Sequence, residues 1–242
     1  MSADLLPVVT PDLTASLTAP PLTRAVSLTE TTLKSTAEAV YMNKLISLST
    51  AALLLVFVLS DLTIAGNALS FDRGNREWVT IEDSESLDID GQHLTMEGWI
   101  KLPNPQQDLE FTIWNKESSY EAHVRNGIFQ VAIWTDRWAW QGQNTQIRAN
   151  EWTHVAGTYD GQSIRLYING ELRSTIAKRG NIQDTDSLFF LGTRPHGDFQ
   201  HCYNGELDEV RIWNVTRTAE QIRENMNLAL SGNEEGLVGY WP

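Results

Sequence analysis

Cysteine is almost missing from this chain: Cys202 is the only one in 242 residues. A disulfide framework and a cysteine-based metal cluster are both excluded, and the lone thiol reads as a small buried residue. Positive charge is also scarce. Lys and Arg number 18 against 31 Asp and Glu, a net charge of −13. Nucleic acid and anionic membrane surfaces are therefore excluded as partners, because each needs a basic patch. No apolar run reaches bilayer length: the uncharged stretch from Leu45 to Ser60 is about 16 residues long against the ~20 a spanning helix needs. The five His, at 93, 123, 154, 196 and 201, lack the spacing of a zinc site. Phosphate loops, dinucleotide fingerprints, Ser/His/Asp arrangements and repeats of domain-array length are absent as well.

Aromatic residues are missing from the start of the chain. All nine Trp lie at or beyond Trp78, and Phe57 is the one Phe before residue 69. Residues 1–41 have no steady period and read as an unstructured extension, with Met42 an alternative start. From Met42 the order is a short basic segment at Lys44, an apolar run, and Gly66-Asn67-Ala68. That order reads as a secretory signal peptide over 42–68, cleaved after Ala68. A signal-anchor is the alternative, and only then does the chain meet a membrane. The expected location is extracellular either way.

Residues 69–242 carry the aromatics and form the expected folded domain. Short alternating runs recur between glycine turns: Leu69–Phe71, Trp78–Ile81, His93–Ile100, Glu110–Asn115, Tyr120–Val124, Ile128–Trp134, Trp152–Tyr159, Ser163–Ile168, Glu171–Ile176, Ser187–Gly192, Asn204–Trp213 and Gly236–Trp241. Asn126-Gly127 and Asn169-Gly170 mark two-residue hairpin turns, which need φ > 0 twice. Thr218-Ala219-Glu220-Gln221 fits a capping box, predicting a short helix with Ile222, Met226 and Leu230 inward. The fold class that follows is all-β, an antiparallel two-sheet sandwich with one short helix late in the chain.

Two stretches bear on function. In Asn204–Trp213, Asp208 has the parity of Val210 and Ile212, so it is expected to face the core, where a carboxylate needs a partner or a metal. In Trp134-Thr135-Asp136-Arg137-Trp138-Ala139-Trp140-Gln141, Trp134, Trp138 and Trp140 share parity. On a surface they form an aromatic platform for flat sugar faces, with Asp136 and its polar neighbours bonding hydroxyls. The alternative is that these rings fill the core. Trp114, Tyr120 and His123 on preceding strands are placed to join either assembly.

Five segments in order resemble the laminin-G-like jelly rolls of the concanavalin A-like group, which includes the pentraxins. They are Leu69–Ile81 (LSFDRGNREWVTI), Leu94–Ile100 (LTMEGWI), Glu151–Gly161 (EWTHVAGTYDG), Ile164–Gly170 (IRLYING) and Gly205–Asn214 (GELDEVRIWN). The resemblance implies a jelly roll acting as a non-catalytic binding module for a glycan or an extracellular protein, often with calcium. Carried over residue by residue, the calcium ligands are Asp208, Asp72 and Asn75; Arg73 and Arg76 depart from the family's turn. The closing strand of such domains often leads into a further domain. Glu206-Leu207-Asp208-Glu209 also invites comparison with the nucleophile strand of jelly-roll glucanases. Position 210 is Val and 211 is Arg, so the second carboxylate needed for retaining hydrolysis is missing. A protein-adhesion module and a divergent glycoside hydrolase remain as alternative readings.

Overall fold

The computed structural model describes residues 68–195 and 199–242. The expected extension, signal peptide and anchor, within residues 1–67, lie outside the described residues. Thirteen strands and one helix follow in order among the described residues: β1 (Leu69–Phe71), β2 (Val79–Ile81), β3 (Leu94–Lys101), β4 (Glu110–Lys116), β5 (Tyr120–Arg125), β6 (Ile128–Trp134), β7 (Trp138–Gln141), β8 (Thr153–Tyr159), β9 (Ser163–Ile168), β10 (Glu171–Ala177), β11 (Phe189–Leu191), β12 (Gly205–Trp213), α1 (Ala219–Asn225) and β13 (Leu237–Trp241).

All pairings are antiparallel and sort the strands into two sheets. Sheet A has the order β1-β12-β3-β8-β9-β10, with β13 also on β12; sheet B has the order β2-β11-β4-β5-β6-β7. Their inner faces share one core, to which sheet A gives Met96, Ile100, Val155, Leu166 and Ile212 and sheet B gives Ile113, Trp114, Tyr120, Phe129 and Val131. This is the antiparallel two-sheet sandwich that the alternating runs predicted, and the jelly roll that the resemblance implied. The hairpin turns are as expected, with φ of 50° and 72° at Asn126-Gly127 and 51° and 73° at Asn169-Gly170. Gly205 is required by a close approach: it sits at φ 149°, and an added Cβ would collide with the Lys101 carbonyl oxygen.

Three details differ from the sequence expectation. Glu209 lies at φ 52° and adds one residue to β12 between Asp208, opposite Trp99, and Arg211, opposite Glu97. This bulge resets the alternation. Leu207, Val210 and Ile212 face the core, and Asp208 turns outward. The tryptophan stretch is two strands rather than one, because Thr135–Arg137 turn between β6 and β7. The helix also ends at Asn225. Its capping box is present, but Ile222 is its one buried residue; Met226 caps the C-terminus and Leu230 lies beyond.

The outer face of sheet A is closed by α1, with Ile222 packing on Ala156 and Tyr167. Sheet B has no helix on its outer face among the described residues.

Candidate binding face on sheet B

In β5, β6 and β7 every second residue leaves the core for the outer face. The register sets Glu121 opposite Ala132 and His123 opposite Gln130, then Ala132 opposite Trp140 and Trp134 opposite Trp138. Directly paired residues of an antiparallel ladder share a face. The turn at 135–137 therefore keeps the parity that the sequence showed, and Trp134, Trp138 and Trp140 stand together outside the core. Trp138 meets Trp134 edge-on with ring centroids 5.2 Å apart and stacks on Trp140 at 5.9 Å; Trp140 in turn stacks on His123 at 4.2 Å. Ala132, opposite Trp140, is small enough to leave room for that ring. Trp140 is 36% exposed, and Trp134 and Trp138 are half-buried.

Of the residues placed beside the platform, His123 joins it, whereas Trp114 and Tyr120 lie in the core. Asp136 is exposed in the turn. It accepts a hydrogen bond from Thr135 Oγ1 (2.9 Å) and one from Lys178 Nζ (2.8 Å). Those two bonds and the charges of Lys178 and Arg137 hold its carboxyl down to about 2.

Beyond His123 the face turns polar. Among the described residues, one cluster of His, Cys, Asp and Glu is tight enough to share a metal ion: Glu110, Glu121 and His123, with one ligand atom from each all within 4.8 Å. His123 Nδ1 lies 3.4 Å from Glu110 Oε1 and 3.8 Å from Glu121 Oε1, and Nε2 is 2.6 Å from Gln130 Oε1. Arg194 reaches over the cluster, 3.5 Å from Glu121 and 3.6 Å from Glu110. His201 is 3.6 Å from Glu110. Main-chain bonds from Glu110 to Gln200 (3.3 Å) and from Thr112 to His201 (3.2 Å) tie this loop to β4.

The cluster is buried and short of hydrogen bonds. Glu121 has no exposed side-chain surface, yet both its oxygens, Glu110 Oε1, Thr112 Oγ1, Asn115 Oδ1 and His123 Nδ1 have no hydrogen-bond partner. Polar atoms in that state are costly unless a ligand, ion or water answers them. Burial alone would lower the His123 pKa, but Glu110, Glu121 and Gln130 outweigh it and push it up to about 9. Burial would lift Glu110, but His123, His201 and Arg194 bring it below the ordinary value.

The residues expected to hold calcium are not assembled. Asp72 and Asn75 share one turn, where Asp72 accepts from Gly74 N at 2.6 Å and from Asn75 Nδ2 at 3.3 Å. Arg73 is drawn inward onto the Cys202 carbonyl oxygen, at 3.0 and 2.9 Å. Phe71 pairs with Gly205, so Asp72 is level with Asn204. Asp208 is four residues further along β12, on the order of 13 Å away at the rise of a strand. Burial raises the Asp208 carboxyl, and Glu209 adds to the shift. Neighbouring carboxylates are engaged elsewhere: Glu206 with Lys101 at 3.0 Å, and Glu209 with Tyr240 Oη at 2.8 Å and with Arg211.

Residues 73–223 match the family described as the "Concanavalin A-like lectin/glucanases superfamily". Over 82 residues the chain is 32% identical to mouse pappalysin-1, a match covering 31% of this chain and 5% of the relative; the chain thus spans a small part of that protein. Among solved structures, a candidate carbohydrate-binding protein of Bacteroides ovatus superposes with a TM-score of 0.57 at 22% identity, covering 68% of this chain and 48% of the other. Domain 4 of the Geobacillus stearothermophilus arabinanase AbnA, in complex with arabinotriose, superposes with a TM-score of 0.54 at 18% identity, covering 67% and 78%. At these identities the structural likeness speaks for the fold.

Proposed function

The chain belongs to the concanavalin A-like lectin/glucanases superfamily, and from that premise we propose a secreted, non-catalytic module that binds a glycan on the outer face of β6 and β7. The observation that carries the reading is the placement of Trp134, Trp138 and Trp140 on one accessible face, outside the core. Flat C–H faces of sugars stack on such rings, and Gln130 and Asp136 lie close by to bond hydroxyls. Secretion rests on the 42–68 segment of the sequence. Among the described residues no helix is long and apolar enough to cross a membrane. Calcium assistance rests on the family resemblance alone: of the residues it names, Asp72 and Asn75 share one turn and Asp208 lies further along β12.

The arabinanase domain was solved with arabinotriose, which makes arabino-oligosaccharides a reasonable first panel beside a general glycan array. The test is calorimetry on the wild type, Trp140→Ala and Trp78→Ala. Trp78 is also exposed, at 41%, but lies just before β2, at the opposite end of sheet B. Loss of affinity in Trp140→Ala alone supports the reading; equal affinities in all three proteins refute it.

A second reading, protein adhesion, is favoured by β10. This edge strand is exposed along nearly its whole length and presents Leu172 at 52% and Ile176 at 36% exposure. Unpaired strand edges of this kind accept a partner's strand. Binding of an extracellular protein that Leu172→Lys abolishes and Trp140→Ala leaves intact would select it.

A further inference from the structure

The geometry points to a transition-metal site of the zinc class on the outer face of sheet B, ligated by Glu110, Glu121 and His123. The three residues lie on adjacent strands in register, so the backbone and not a flexible loop fixes their spacing. His123 Nδ1 lies 3.4 and 3.8 Å from the two carboxylates, near the roughly 3.5 Å that separates two ligands of a tetrahedral zinc ion. All three ligand atoms fall within 4.8 Å of one another, so a small shift of the glutamate side chains brings them onto one ion.

An acidic cluster alone would not carry this, but two further observations do. Glu121 is wholly buried with both carboxylate oxygens lacking a hydrogen bond, and Thr112 Oγ1 and Asn115 Oδ1, at the register positions opposite His123 and Glu121, are in the same condition. The histidine is also prepared from behind. Its Nε2 is engaged by Gln130 Oε1 at 2.6 Å, while Nδ1 faces the two glutamates. Metal-binding histidines are typically held this way: one ring nitrogen donates to an acceptor, and the other is aimed at the ion.

The donor set decides the metal. Calcium and magnesium take oxygen ligands, six or more in number. One imidazole with two carboxylates suits zinc and its neighbours, with an open position left over. Arg194 is the built-in competitor. Its guanidinium lies 3.5 and 3.6 Å from the carboxylates, and it also contacts Glu117 at 3.5 Å, toward which it can withdraw. An ion held here borders Trp140, whose ring stacks on His123 at 4.2 Å. Its open position is then offered to a hydroxyl of a sugar lying on the tryptophans. This last step rests on the proposed glycan function; the metal site itself does not.

The test is titration of the metal-stripped full chain with zinc, and separately with manganese and calcium, by calorimetry and tryptophan fluorescence. The expected result is one zinc per chain, with quenching that Trp140→Phe reduces. His123→Gln and Glu121→Gln should each weaken zinc by more than the roughly 10–100-fold that loss of an outer-shell partner costs, and Gln130→Ala by about that amount. Arg194→Ala should tighten zinc binding, an outcome that damage to the fold would not produce. Circular dichroism of each variant checks folding. Zinc binding unchanged in His123→Gln, or calcium bound in place of zinc, overturns the inference. If no metal binds but Trp140-dependent glycan binding persists in chelator, the metal site falls and the glycan function stands.

Discussion

Each sheet buries a histidine against glutamate on its outer face, and the two faces treat the pair in opposite ways. On sheet A, His154 lies 3.7 Å from Glu97, with Arg211 and Arg217 each 3.8 Å from the same carboxyl group. Burial and these two cations drive the His154 pKa down to about 3. Burial also raises Glu97, against the pull of Arg217, Arg211 and Trp213. On sheet B, His123 faces Glu110 and Glu121 with Arg194 further out, and its pKa rises to about 9.

The polar atoms differ in degree: on sheet A, Glu97 Oε2, His154 Nδ1, Thr158 Oγ1 and the Nε of Arg211 and Arg217 have no hydrogen-bond partner, but the other Glu97 oxygen is bonded, whereas both oxygens of Glu121 lack a bond. Trp213 Nε1 donates to Glu97 at 2.9 Å, Trp99 Nε1 to the Met226 carbonyl oxygen at 2.7 Å and Arg211 to the Asn225 carbonyl oxygen at 3.0 Å. That network fastens α1 and the segment after it to sheet A. Glu121, equally buried, has no such bond. One face uses its charges to close the fold, and on the other both oxygens of a buried glutamate are left without hydrogen bonds.

The two glutamates should separate the faces most clearly. Glu97→Ala takes the carboxylate from Arg217 in the interior and leaves Arg211 with the carboxylate of Glu209 alone, and should cost about 3–5 kcal/mol, read as a fall in chemical-denaturation midpoint. Glu121→Ala removes two oxygens that lack hydrogen bonds and leaves His123 and Arg194 still facing Glu110, so it should cost less than half as much. Equal losses would mean that both faces are structural.

Acid and alkali sharpen the contrast. His123 has a folded pKa above the ordinary 6.5, so its contribution is full below pH 6.5 and is lost as pH climbs toward 9. His154 has a folded pKa below 6.5, so its contribution is present above pH 6.5 and is lost as pH falls toward 3. At about 1.4 kcal/mol per unit the His123 arm is worth roughly 3 kcal/mol and the His154 arm roughly 5 kcal/mol. Ring-proton titrations by NMR on the metal-free protein should give midpoints on opposite sides of 6.5.

Much of this was legible in the sequence. The strands and asparagine-glycine turns show at short range because alternation and positive φ are local properties. The Thr218–Gln221 capping box is present as expected. The tryptophan face was legible in part: parity carried across the 135–137 turn because Trp134 and Trp138 pair directly. The bulge at Glu209 was not, since no glycine or asparagine marks its positive φ, and the reversal of Asp208 followed from it. Nor was the Glu110–Glu121–His123 cluster, whose members lie on two strands with no metal-site spacing and meet only once the register is set.

Two smaller effects complete the comparison. Trp140→Ala should weaken glycan binding by tenfold or more, about 1.4 kcal/mol, while leaving the melting temperature nearly unchanged because the ring lies outside the core. Thr218→Ala removes one half of the capping box of α1 and should cost about 1 kcal/mol of stability with no effect on ligand binding.

The outer face of sheet B is the proposed binding face. It is tested most directly by the indole N–H resonances of the nine tryptophans during titration with a glycan from the screen. The Trp134, Trp138 and Trp140 signals should move together, while those of Trp99 and Trp213, bonded to Met226 and Glu97 on the closed face, stay still. Movement of Trp99 and Trp213 with the other three unmoved would contradict it.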